Sequence, residues 1–344
     1  MQFCCIICGK QEIKMDNKVV LTGIKPTGTP HLGNYIGALK PVVNMSQNHK
    51  TLVFIADLHA LNTIKKPGEI RQYSDEIAAM LVALGLNLDN AILFRQSDII
   101  GIYQLTCFLM NVTPKGLMNR AHSYKAIVEK NTENGLDVDA GVNMGLYTYP
   151  ILMAADILLY NSDVVPVGAD QKQHVEFARD IAGYFNNTYG NVFKLPEPMI
   201  SQDAGIIPGL DGRKMSKSYD NTIPLFAPEN ELKKKIMRII TDSKTPEESK
   251  NPDESTIFQL YKHFGNEDEI AGFRKMFLDG GMGYGTAKNI LFEKINSVLS
   301  GPRAEYERLI SDKKQIDELL KVGATRAGII AEKTISELKK VMLG

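Results

Sequence analysis

The chain of 344 residues has no net charge, 40 Lys and Arg standing against 40 Asp and Glu. It therefore lacks the overall basic field of a protein that coats nucleic acid, although reading a folded RNA at a few local sites needs no such field. It has no run of eighteen apolar residues, which excludes a helical membrane span. Gly and Pro are too sparse for a fibrous protein, and 44% apolar residues are too many for a disordered one. Cysteine is scarce: there are four, three of them among the first eight residues, which makes no disulfide framework. Cys5 and Cys8 could form half a zinc site, but no second pair follows. The six histidines show no ligand spacing such as H-E-x-x-H, so no bound metal is expected. The first residues lack the basic n-region and long apolar h-region of a secretory signal. Residues 1–18 read as a disordered extension on a protein of the reducing cytoplasm.

Strand-like and helical runs alternate through the first two thirds. Residues 19–22, 51–56, 91–94 and 164–167 are short, apolar and rich in β-branched types, as buried strands are. Over residues 67–84, Ile70, Tyr73, Ile77, Leu81 and Leu84 share one helical face, which Gly85 closes. Two helices are expected between Ile99 and Lys130, another from Pro150 to Tyr160 and another from Asp170. This alternation predicts an α/β fold over residues 19–225: a doubly wound, Rossmann-like parallel sheet covered on both faces. Beyond it the strand-like runs vanish. Helices from Pro228, Thr256, Ala287 and Arg303 onward predict a C-terminal all-helical domain over residues 226–344.

Three short patterns could carry chemistry. A Gly- and Pro-rich loop after the first strand runs into His31-Leu-Gly-Asn34. In a doubly wound sheet, ligands sit beyond the carboxyl ends of the strands, where a helix N-terminus offers N–H groups to phosphates. Gly28 and Gly33 permit close backbone approach there, and His31 can donate to a phosphate oxygen. A glycine-rich turn with a surface histidine would look the same. The second pattern is Lys214-Met-Ser-Lys-Ser218, whose two lysines and interleaved hydroxyls suit a polyphosphate or merely a solvated loop. The third, Gly168-Ala-Asp-Gln171, lies where a strand gives way to a helix, and Asp170 taken singly reads best as an N-cap. A further feature is Asp156. Tyr149, Met153, Asp156 and Tyr160 fall at helical spacing on one stripe. A carboxylate within Ala-Ala-Asp-Ile-Leu-Leu is costly to bury bare, so it needs a donor from the protein or from a ligand.

Taken in this order, the H-x-G-N segment at 31–34 and the K-M-S-K-S pentapeptide at 214–218 resemble the two signatures of class I aminoacyl-tRNA synthetases. Longer stretches are similar to the bacterial-type tryptophanyl-tRNA synthetase family. They are Gly-Ile-Lys-Pro-Thr-Gly at 23–28, Gly-Asn-Tyr-Ile-Gly-Ala-Leu at 33–39, Tyr-Pro-Ile-Leu-Met-Ala-Ala-Asp at 149–156 and Val-Val-Pro-Val-Gly-Ala-Asp-Gln-Lys-Gln-His at 164–174. The likeness spans residue 19 to the C-terminus and is sharpest over 23–218. Asn34 departs from the H-x-G-H of the class but is usual in this branch. Lys25 stands where many relatives carry Gln, which leaves the role of that side chain open.

The resemblance implies activation of L-tryptophan by ATP and transfer to the 3′ end of its tRNA, by a homodimer, with Mg2+ arriving on the ATP. It implies His31, Asn34, Lys214 and Lys217 as the catalytic set. The nucleotide would lie against Lys25, Pro26, Thr27, Gly33, Asn34, Gly168, Ala169, Asp170 and Ile207, and against Lys214, Met215, Ser216, Lys217 and Ser218 of the loop. Asp156 would accept the indole N–H, with Met153, Val165 and Val167 around the ring and Tyr149 and Gln171 on the ammonium group. Tyrosyl-tRNA synthetases share both signatures but differ at the 149–160 helix and the Asp-Gln segment. A non-catalytic paralogue would be expected to lose the signature lysines or the helical domain, and both are kept. A phosphopantetheine-type nucleotidylyltransferase shares H-x-G-H but needs no K-M-S-K-S loop. Because no global field attracts tRNA, local clusters must. The candidates are Lys233, Lys234, Lys235 and Arg238, and Lys313, Lys314, Lys321 and Arg326, with the helical domain as anticodon reader.

Overall fold

The computed structural model describes residues 18–168, 172–200 and 206–344. The expected extension, with Cys5 and Cys8, lies outside the described residues except for Lys18. Among the described residues, five parallel strands form one sheet in the order β3-β2-β1-β4-β5. They are β1 (Val19–Ile24), β2 (Lys50–Ile55), β3 (Ala91–Arg95), β4 (Val164–Val167) and β5 (Glu197–Ile200). Four stand where the apolar runs predict them. The fifth is unforeseen because Pro198 interrupts its pattern; an edge strand tolerates a residue that cannot donate to the ladder. Successive side chains serve opposite faces: Leu52 and Phe54 join one apolar core, Val53 and Ile55 the other. The chain leaves β1 for β2 and β3 on one side and returns to β4 on the other. The topological switch between β1 and β4 is where such a sheet opens a crevice at its carboxyl edge.

Helix α1 (Leu32–Asn34) passes through a π-helical turn, Tyr35–Leu39, into α2 (Lys40–Asn48), and α3 (Asp57–Ala60) and α4 (Glu69–Ala83) follow. Three helices, α5 (Ile100–Met110), α6 (Lys115–Met118) and α7 (His122–Glu133), occupy the stretch where two are expected. The next, α8 (Met144–Leu159), starts six residues before Pro150, because the Asn143 side chain caps the Leu146 N–H and sets the helix going there. It is followed by α9 (Lys172–Tyr189). The rest is helical: α10 (Glu229–Met237), α11 (Thr256–Tyr261), α12 (Glu267–Asp279), α13 (Tyr284–Ser311) and α14 (Lys313–Leu343). Ala287 and Arg303, expected to open separate helices, both belong to α13, which continues through Pro302.

Helix α14 ties this helical part to the sheet. Its Ile316 and Leu320 enter one core, while Ala327, Ala331, Ile335 and Leu338 enter the other. Between them the helix crosses the free edge of the sheet at β3. The crossing is so close that a Cβ on Gly323 would lie 1.8 Å from the Leu93 carbonyl oxygen. Arg326 donates to the carbonyls of Leu88 and Ala91 at 3.2 and 3.3 Å. Its charge groups it with Lys313, Lys314 and Lys321 in the sequence, but the fold uses it to satisfy a strand edge. Buried Arg95 at the end of β3 pairs with Asp75 of α4 at 2.7 Å and Asp317 of α14 at 2.8 Å, as a buried cation requires. Gly323→Val is expected to destabilise the protein by about 1–3 kcal/mol through overpacking against β3. The check is the urea midpoint; an unchanged midpoint would mean that α14 can shift off the edge without loss.

Candidate active site

Two polar segments and one cavity meet at the carboxyl edge of the sheet. The first segment follows β1. Gly23 lies under the Phe54 ring, with its Cβ position 2.3 Å from the ring tip, so only glycine fits. Pro26 is buried, while Lys25 and Thr27 are exposed. Gly28 has φ +104°, and a Cβ there would meet the Lys217 ammonium at 2.7 Å. His31 caps α1: its Nδ1 accepts from the Asn34 N–H at 3.3 Å, and the Asn34 side chain accepts from the His31 N–H at 3.1 Å. Since Nδ1 accepts, the ring proton sits on Nε2, which is the donor left for a ligand. Burial and, second, the nearby Lys217 cation push the His31 pKa down to about 4, so the ring is neutral near pH 7.

The second segment is the loop at 207–221. Its hairpin is closed by the Gly209 N–H on the Arg213 carbonyl at 2.7 Å and the Met215 N–H on the Ile207 carbonyl at 2.8 Å. Ile207, read as a nucleotide contact, thus also anchors the signature loop. Buried Asn221 braces the turn from inside: it accepts from the Ser216 N–H at 2.8 Å and donates to Asp211 at 2.7 Å and to the Lys214 carbonyl at 3.1 Å. No pattern in the sequence singles out Asn221, because its partners are assigned only when the loop closes. The two segments are zipped together. The Leu32 N–H bonds the Ile223 carbonyl at 2.9 Å, the Leu225 N–H bonds the Pro30 carbonyl at 3.2 Å, and buried Met215 sets its sulfur 3.2 Å from the Gly33 N–H. Lys214, Lys217 and Ser218 stay exposed at the tip. Lys217 donates to the Thr27 carbonyl at 3.2 Å, and partial desolvation lowers its pKa, opposed by Glu76.

The cavity, about 510 Å3, lies between the ends of β1 and β4. It is lined by Tyr149, Met153, Asp156, Val165 and Val167, and by Lys25, which also borders the first segment. Tyr160, on the same expected stripe, caps α8 and packs its ring edge-on to Phe94 in the core instead. Gly168 follows β4, and Ala169, Asp170 and Gln171 lie outside the described residues. Asp156 is fully buried and has protein donors: the Gln96 amide at 2.8 and 2.9 Å and the His59 Nε2 at 2.9 Å. Burial raises its pKa, and the His59 and Gln96 hydrogen bonds pull the other way. The sequence reading misses Gln96 and His59. The signal that marks them is position, since each lies within four residues of the carboxyl end of a strand of the parallel sheet, β3 for Gln96 and β2 for His59, the edge at which such sheets bind ligands. Among the described residues, no group of three or more His, Cys, Asp or Glu is arranged around a metal site. None of the described helices is long and apolar enough to cross a membrane.

Comparison with known proteins gives the same picture from another direction. The family model for class I tRNA synthetases (W and Y) matches residues 14–300. The chain is 49% identical over 328 residues to a tryptophan–tRNA ligase of Pseudomonas aeruginosa, covering 94% of this chain and 73% of that one. It is 48% identical to the Neisseria meningitidis serogroup A tryptophan–tRNA ligase, covering 94% and 97%. Among solved structures, tryptophanyl-tRNA synthetase from Campylobacter jejuni, complexed with ADP and tryptophan, matches with a TM-score of 0.84 at 39% identity, covering 94% of this chain and 98% of that one. The chain belongs to the class I tRNA synthetases, in the tryptophan–tRNA ligase family.

Proposed function

We propose that the protein activates L-tryptophan with ATP and transfers it to the 3′-terminal adenosine of tRNA(Trp) for protein synthesis in the cytoplasm. The observation that carries this reading is the zipping of the two signature segments beside a cavity whose buried carboxylate lies among apolar residues. A carboxylate among apolar residues suits an aromatic ring with one N–H, and phosphate-binding groups beside it suit a nucleotide. The tryptophan carboxylate, anionic near pH 7, attacks the α-phosphorus. The bond from that phosphorus to the bridging oxygen breaks and pyrophosphate leaves with the electron pair. No base is required, so the protein contributes positioning and charge stabilisation. Neutral His31 donates through Nε2, Asn34 holds its ring, and Lys214 and Lys217 neutralise the departing pyrophosphate. Mg2+ belongs to the substrate, on the phosphate oxygens. Tyr149 and Gln171 hold the ammonium group, and Lys25 adds a cation where the cavity meets the nucleotide. In the second step a ribose hydroxyl of the tRNA attacks the acyl carbon and AMP leaves.

Residues 19–225 form the catalytic domain and 226–344 the anticodon-reading region, with Lys233, Lys234, Lys235 and Arg238 just beyond the signature loop as a local tRNA contact. The experiment is amino-acid-dependent exchange of labelled pyrophosphate into ATP across the twenty amino acids. Exchange with tryptophan alone is expected; exchange with none would favour a non-catalytic role.

The protein acts as a homodimer in this reading. On α5, Ile100, Tyr103 and Met110 are 73%, 49% and 48% exposed and share one helical face with exposed Cys107. An exposed apolar stripe of this kind marks an interface. Ile100→Glu with Tyr103→Glu is expected to convert the dimer to a monomer in sedimentation. A dimer that persists would put the interface elsewhere.

A further inference from the structure

We propose that Gln96 is the positioning residue that makes Asp156 a selective acceptor for the substrate's N–H. The proposal rests on the reading of Asp156 given above. Gln96 is 0% exposed and opens the short helical turn Gln96–Asp98 at the end of β3. A buried amide could point either way round, but its neighbours leave one choice. The Leu58 N–H can only donate, so the atom 3.2 Å from it is the amide oxygen. The amide NH2 therefore faces Asp156 and reaches both carboxylate oxygens, at 2.8 and 2.9 Å.

This orientation is locked from both sides. Asp57 accepts from the Leu58 N–H at 2.9 Å, from the Ser97 N–H at 3.0 Å and from the Ser97 hydroxyl at 2.5 Å. Ser97, next to Gln96 in its turn, is thus laced to the start of α3 beyond β2, and Arg95 on the other side of Gln96 is pinned by Asp75 and Asp317. The consequence for Asp156 follows from counting its acceptor sites. An ionised carboxylate has roughly four. Oδ2 takes Gln96 and His59, whereas Oδ1 takes Gln96 alone. Gripping both oxygens fixes the plane of the carboxylate and leaves acceptor capacity on Oδ1. The Gln96 amide does this without bringing a charge of its own that would compete with a weak N–H donor. Without Gln96, a carboxylate this buried would turn or take up a proton, and its charge-assisted bond to the ligand would weaken.

The test compares tryptophan with 3-(benzothienyl)alanine, which keeps the ring shape but has sulfur in place of the N–H. Pyrophosphate exchange is measured for both with the full-length protein and with Gln96→Met, Gln96→Glu and Asp156→Asn. Both Gln96 variants keep the side chain's length, and Met cannot donate. Gln96→Met and Gln96→Glu are expected to shrink the tryptophan preference in kcat/KM by about tenfold, the difference between a charge-assisted and an ordinary hydrogen bond. The analogue's kcat/KM should stay near its unsubstituted value, which makes it the internal control for folding. If both substrates lose equally, or neither loses, Gln96 only fills space and the proposal is overturned. A preference that collapses in Asp156→Asn but stands in both Gln96 variants overturns the role of Gln96 alone. A preference that survives Asp156→Asn overturns the reading of Asp156 and the proposal with it.

Discussion

Lys217→Ala is expected to slow adenylate formation by about 100- to 1000-fold while leaving tryptophan binding nearly unchanged. The side chain is exposed, so its removal leaves the core untouched. What it removes is a cation on a loop whose base is braced by Asn221 and whose Met215 is buried against α1. Its ammonium rests on the Thr27 carbonyl, over Gly28, at the edge of the proposed phosphate site. Pyrophosphate gathers charge as it departs, and a cation held beside it stabilises the transition state more than it stabilises bound ATP. Single-turnover adenylate formation measures this directly. A loss confined to the KM for ATP would mean that the loop only binds the ground state.

Asp156→Ala is expected to lower kcat/KM for tryptophan by about 10- to 100-fold, with ATP binding nearly intact, because a charge-assisted hydrogen bond contributes about 1.5–3 kcal/mol. The truncation also strands a donor. The fully buried Gln96 amide would lose both of its acceptor oxygens, which costs about 1–3 kcal/mol. The variant should therefore be less stable as well as less selective. Nucleotide binding is expected to be spared because His31, Lys214 and Lys217 do not line the cavity that holds Asp156, and Lys217 rests on the Thr27 carbonyl at the far side of the 25–27 segment. Steady-state kinetics with tryptophan and tyrosine decide the matter: unchanged kinetics for tryptophan would remove Asp156 from the recognition of the indole.

Much of this candidate site is legible along the chain because its residues stand in short contiguous segments. Gly23 to Gly28, His31 to Asn34 and Lys214 to Ser218 each owe their type to a local requirement: close approach, a helix cap, a charged loop. The stripe of Tyr149, Met153 and Asp156 follows from helical periodicity alone. Periodicity misplaces Tyr160, since a helix ending one residue earlier turns that ring into the core. It also starts α8 at Pro150, where proline suggests a first turn, although a capping Asn143 lies upstream.

Residue type and spacing by themselves determined the alternation of strands and helices, the two signature segments and the need for a donor to Asp156. Burial cost and hydrogen-bond capacity are properties of the residues themselves, so those conclusions needed no coordinates. Only the tertiary structure decided which donors Asp156 receives. Gln96 and His59 stand 60 and 97 residues away from it, and adjacent parallel strands bring their carboxyl ends together. It likewise decided that Arg326 donates to carbonyls at the β3 edge, and that α14 joins both cores across Gly323. A charge or a glycine looks alike in sequence whether it meets solvent or a strand. The partner that settles the difference is supplied by the fold, through contacts whose sequence separation carries no local trace.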